Sequence, residues 1–105
     1  METDVNKSRD SELPVPAEQL NDAIASYYPL MWSDEISTQF LNAVGPNGLA
    51  LVEEIRRFSN DSDHWTYSDH NQAYNSMQVR LRGAYPFLSE NSVTRIATSA
   101  AWGWR

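Results

Sequence analysis

Apolar residues recur at intervals of three and four along most of this chain, which is the spacing of one face of an α-helix. Proline, glycine and serine at the ends of these stretches mark where helices start and stop. No run of alternating β-branched residues competes with the pattern. It predicts five helices, at about residues 16–28, 33–44, 49–58, 66–84 and 89–104.

The last of these helices has the clearest signal. Ser89 is a good N-cap, and Leu88 and Val93 have the spacing of a hydrophobic staple. The apolar stripe then follows helical intervals through Val93, Ile96, Ala97, Ala100, Ala101 and Trp104.

Two proline breaks, at Pro29 and Pro86, divide the chain in a similar way. Each follows a tyrosine and comes shortly before a serine cap. We therefore expect the apolar residues after each proline to cover an end of the core. These residues are Leu30, Met31, Trp32, Phe87 and Leu88.

The fourth predicted helix has apolar residues on two sides. His70 and Tyr74 fall on its apolar stripe, whereas Val79 lies nearly opposite. A helix that is apolar on both sides is typical of the centre of a bundle. We expect this helix to be central, its cap to be Thr66 or Ser68, and His70 to be a core histidine.

The length of 105 residues suits one domain. Residues 1–13 are polar, mixed in charge and without apolar rhythm, so they predict a flexible N-terminal tail. Residues 14–105 predict a single helical domain. The predicted fold class is all-α, a compact bundle of about five helices.

Composition narrows the chemistry and the location. The chain has no cysteine, which excludes a disulfide framework, a thiolate metal site and a cysteine nucleophile. It has no Gly-x-Ser-x-Gly motif and no glycine-rich phosphate loop. No apolar run approaches the ~18–20 residues of a membrane span, and the start lacks a secretory signal. We expect a cytoplasmic protein that is not an enzyme, carries no cofactor and does not contact a membrane.

The net charge of −6 is unevenly distributed. Residues 11–70 carry ten acidic and two basic residues, whereas residues 71–105 carry one acidic and four basic residues. This balance argues against nucleic-acid binding, which needs a positive surface. Either the two parts attract each other within the fold, or the chain presents an acidic surface to a basic partner.

A polar segment between residues 60 and 70 holds both histidines and three carboxylates. Such groups bind metals or transfer protons, so one alternative is a metal-dependent site or small enzyme. The spacing matches neither a calcium loop, which needs a glycine at its sixth position, nor a compact zinc motif. The residues of this alternative are His64, His70, Asp61, Asp63 and Asp69.

Two tryptophans are candidate binding anchors. Trp102 falls about 170° from the centre of the last apolar stripe, beside Arg95. A tryptophan next to arginine is the composition of an interface anchor. Trp65, in the acidic segment, is the second candidate. The alternative for Trp102 is that Gly103 ends the helix and the indole folds back onto the protein.

These patterns favour a non-enzymatic protein-interaction domain. We expect an acidic face of Asp34, Glu35, Asp61, Asp63 and Asp69 to bind a basic protein, with contributions from Trp65, Arg95 and Trp102. Bacterial immunity proteins and antitoxins share this size and charge, but no residue motif links the chain to them. A third hypothesis is a homo-oligomeric adaptor that self-associates through Trp102.

Overall fold

The computed structural model describes residues 13–61, 65 and 69–103. Within these residues the protein is all-helical and has no strand, which confirms the predicted fold class. The predicted tail lies outside the described residues, except for Leu13. None of the described helices is both long and apolar enough to cross a membrane. The helices are α1 (Ala17–Tyr27), α2 (Asp34–Ser59), α3 (His70–Ala84) and α4 (Glu90–Gly103).

The predicted second and third helices form one bent element, α2. Gly45 interrupts its helical backbone with φ 78° and ψ 174°, a region that only glycine adopts readily. Pro46 follows and starts the second arm, where its missing N–H costs nothing. Five helices were expected, and the predicted second and third are both present, as the two arms of α2. They are counted as one element among the four of the described residues because a single non-helical residue, Gly45, joins them instead of a loop.

The two arms of α2 fold back toward each other at Gly45. A straight helix of these 26 residues would be about 39 Å long. Instead, the Trp32 ring just before the first arm lies 4.9 Å from the Arg56 guanidinium near the end of the second. Gly48 permits this bend, because a Cβ there would lie only 2.6 Å from the Cβ of Val44.

The central helix is α4, which packs against each of the other three. Its predicted cap is confirmed, since the Ser92 N–H donates to Ser89 Oγ at 3.1 Å. The expectation that α3 is central is wrong: Val79 is 65% exposed. The buried residues of α4 are Ser92, Val93, Ile96, Ala97 and Ala100. The two small alanines among them allow neighbouring helices to approach closely.

Aromatic stacking closes the core beside the first proline break. The Trp32 ring stacks on buried Phe40 with centroids 5.5 Å apart, and Tyr28 packs edge-on against both rings. The expectation that Leu30 and Met31 also cover the core is wrong, because they are 49% and 74% exposed. The indole occupies the position that they were expected to fill.

The start of α3 also differs from expectation. Its N-cap is Asp69, whose carboxylate accepts the N–H of Asn71 at 2.9 Å. His70 is therefore the first helical residue, is exposed, and places Nε2 3.1 Å from the Ala101 carbonyl. It is not a core histidine, because the buried stripe begins one turn later, at Ala73, Met77 and Leu81.

Alanine at Gly45 tests the bend in α2. Its backbone conformation is strained for any residue with a Cβ, so Gly45→Ala should lower the free energy of unfolding by about 1–3 kcal/mol. Gly83→Ala is the matched control: Gly83 lies in α3, and nothing lies within 4 Å of an added Cβ. That change should raise the free energy of unfolding by about 0.5–1 kcal/mol. Urea denaturation measures both, and equal effects would contradict the strain at Gly45.

Candidate functional site

The sequence-predicted acidic residues lie near both ends of α2. Asp34 and Glu35 occupy its first turn and are exposed. Asp61 follows its last turn and is also exposed, while the exposed Asp69 caps α3. Asp63 lies outside the described residues. The bend in α2 brings its two ends nearer to one another than a straight helix would.

Two further carboxylates line a cleft between α1 and α2. Glu18 and Asp22 are four residues apart on α1, so they project from the same side of the helix. Tyr27 of α1 and Ala43 of α2 also line this cleft, which has a volume of about 480 Å³. The predicted site omitted both acids, although their spacing on the polar side of α1 is visible in the sequence.

Most of these carboxylates are not neutralised by the basic C-terminal third. Arg82 pairs with Glu90 at 2.7 Å, and both partners belong to residues 71–105. The Arg82 guanidinium holds the pKa of Glu90 below its usual range. Within the part of the chain that the structure describes, no ion pair forms at Glu18, Asp22, Asp34 or Glu35. Their charge is presented to solvent. We call these four residues, one pair on α1 and the other in the first turn of α2, the acidic surface; it shares Asp34 and Glu35 with the acidic face that the sequence predicted.

Trp65 closes the core near the end of α2. Its indole N–H donates to the Ser59 carbonyl at 2.8 Å, and its ring lies 5.7 Å from the His70 ring. The side chain is partly buried and packs against the core. This placement gives Trp65 a structural role, and its role as a partner-binding anchor stays a prediction.

The proposed metal ligands are only partly described. His64 and Asp63 lie outside the described residues. Of the others, the Asp69 carboxylate accepts backbone N–H groups, and the His70 ring contacts a backbone carbonyl. Among described residues, no group of three or more histidine, aspartate or glutamate side chains is arranged to hold a metal. The metal-site hypothesis therefore stays untested.

A second cleft of about 320 Å³ lies where the loop after α1 meets the ends of α2 and α4. We call it the loop cleft. None of its described lining residues is acidic. Trp102, which is 45% exposed, lies one helical turn beyond Ser99 on α4. The loop cleft is lined by Leu30, Met31, Trp32, Arg56, Arg57, Asn60, Ser99 and Gly103.

Side chains of α4 anchor the loop that carries Leu30 and Met31. Arg95 Nε donates to the Tyr28 carbonyl at 2.7 Å, and Ser99 Oγ donates to the Leu30 carbonyl at 3.3 Å. Arg95 also lines a neighbouring cleft of about 410 Å³ on the other side of Leu30. The predicted site residue Arg95 thus fixes the loop whose apolar side chains are exposed.

Two buried tyrosines have strongly raised pKa values. Burial raises the pKa of Tyr28 from 10.0 to about 12, against smaller opposing effects of Ser59 and Arg56. Burial also raises the pKa of Tyr85 to about 12, helped by the Glu54 carboxylate, which accepts its hydroxyl at 3.0 Å. Both phenols therefore remain protonated in the folded protein at pH values where free tyrosine ionises.

Comparison with known protein families, curated proteins and solved structures finds no match to this chain.

The two tyrosines predict a loss of stability at high pH. Their folded pKa lies above the unfolded value, so their contribution is fully present below pH 10 and is lost between pH 10 and about 12. Urea denaturation across this range should show a falling free energy of unfolding. Tyr28→Phe and Tyr85→Phe should each flatten the fall, and an unchanged slope in both would refute the assignment.

Proposed function

We propose that this chain is a non-enzymatic protein-interaction domain that binds a basic protein through its acidic surface. The observation that carries the proposal is that Glu18, Asp22, Asp34 and Glu35 are exposed and form no ion pair among the described residues. Carboxylates without an internal partner are available to lysine and arginine side chains of another protein.

The charge of the whole chain supports the same partner. A net charge of −6 attracts a positively charged protein over several ångströms and repels nucleic acid. The cleft beside Glu18 and Asp22 adds the half-exposed Tyr27 ring, and tyrosine is enriched in protein interfaces. The cleft can thus accept the aliphatic stem of a lysine or arginine along the ring, with its charge at the carboxylates.

A concrete form of this proposal is an immunity-type inhibitor. Such a protein would cover the basic, nucleic-acid-binding surface of a toxin and prevent the toxin from reaching its substrate. A cytoplasmic location belongs to this proposal, since the toxin's nucleic-acid substrate is there. The shared size and charge support this form by analogy alone.

Peptide selection tests the partner's charge. We expect random displayed peptides selected on the protein to be enriched in lysine and arginine. Their affinity should fall about three- to tenfold for Glu18→Gln/Asp22→Asn, since each exposed ion pair contributes about 0.2–1 kcal/mol. The affinity should also fall when the ionic strength is raised from about 0.1 M to about 1 M, because the Debye length then shrinks from about 10 Å to about 3 Å.

The control variant for that selection is Glu53→Gln/Glu54→Gln. It removes the same number of charges from the second arm of α2, which does not line the cleft between α1 and α2, and an amide oxygen at position 54 can still accept the Tyr85 hydroxyl. Circular dichroism spectra of both variants should match that of the unmodified protein, which checks that they fold. Selected peptides without a basic bias, or equal losses in the two variants, would reject the acidic surface as the binding site.

A further inference from the structure

The loop cleft presents apolar side chains on a loop whose backbone is held in place. Leu30 and Met31 are exposed although they are apolar, and their loop is bonded to α4 through Arg95 and Ser99. Trp32 fixes the other end of the loop, because its indole N–H donates to Ser37 Oγ at 2.8 Å. A loop whose backbone is already held in place loses little backbone entropy when a partner covers it.

The charge of the loop cleft is opposite to that of the acidic surface. Arg56 and Arg57 both line it, and none of its described lining residues is acidic. Both arginines lie in the last turn of α2, where their two full charges exceed the partial negative charge of the helix end. The Arg56 guanidinium stacks over the Trp32 ring, whereas Arg57 is more exposed.

We infer that the loop cleft is a second docking site, which takes a partner segment carrying apolar side chains next to carboxylates. The apolar groups contact Leu30 and Met31, and a carboxylate accepts hydrogen bonds from Arg57. Methionine, arginine and aromatic residues are the side chains enriched at protein interfaces, and all three line this cleft.

Charge selects the occupant. A basic segment would meet the two arginines and be repelled. This inference goes beyond binding at the acidic surface, since it concerns a different cleft and a partner segment of opposite charge. The variants that test it leave Glu18, Asp22, Asp34 and Glu35 unchanged, so the two proposals fail independently.

Two synthetic peptides test the inference by calorimetry and amide NMR: one alternates leucine with glutamate, the other leucine with lysine. We expect the leucine–glutamate peptide to bind and to shift the amide signals of Leu30 and Met31 and the indole signal of Trp32. The leucine–lysine peptide should leave these signals unmoved. Shifts of the Leu30 and Met31 signals by both peptides alike, or by neither, would overturn the inference, whereas binding of the leucine–lysine peptide at the acidic surface leaves these signals unmoved.

Matched variants separate the loop cleft from the rest of the surface. Met31→Ser and Arg57→Gln should each weaken the leucine–glutamate peptide about tenfold, the effect of one buried apolar group or one charge-assisted hydrogen bond. Val79→Ser and Arg82→Gln make the same chemical changes on exposed parts of α3 and should leave affinity unchanged. Equal losses in test and control variants would refute the site.

Light scattering of the unmodified protein distinguishes a second copy as the occupant. We expect a monomer whose mass does not depend on concentration. A dimer that Met31→Ser dissociates would show that the cleft binds another copy of this chain, and would overturn docking of an acidic partner segment.

Discussion

The positive φ of Gly45 is the constraint on which the rest of this fold depends. Gly45 adopts a backbone conformation that a residue with a Cβ rarely adopts, and Pro46 follows it, so the two helical arms of α2 meet at a sharp bend. The bend lets Trp32 at one end of α2 meet Arg56 at the other. It also leaves both arms free to pack on neighbours, the first against α1 through Phe40 and Tyr27.

Both candidate surfaces follow from the way α2 packs. Its first arm lies along α1 and forms the cleft that Glu18 and Asp22 line. Its second arm ends beside α4, where Arg56 and Arg57 face the loop after α1. The fold thereby separates charge of opposite sign onto two clefts. In the binding roles proposed above, such a separation would add specificity, because each cleft would repel the segment proposed for the other.

Exposure of Leu30 and Met31 results from a competition for space in the core. Trp32 follows them directly and stacks on Phe40 with rings 9° from parallel, so one indole seals this end of the core. Hydrogen bonds from Arg95 and Ser99 then hold the loop against α4. Apolar side chains that are excluded from the core and carried on an anchored loop become candidates for binding.

The sequence by itself determined the all-α class, the break at Gly45, the cap at Ser89 and the buried stripe of α4. These features depend on neighbours within one helical turn, and local spacing records them. Tertiary structure decided that α4 rather than α3 is central, that Leu30 and Met31 are exposed, and that Glu18 and Asp22 line a cleft. Those outcomes depend on which helices pack together and on which of several apolar side chains occupies a given space in the core. Periodicity along one helix carries no information about either.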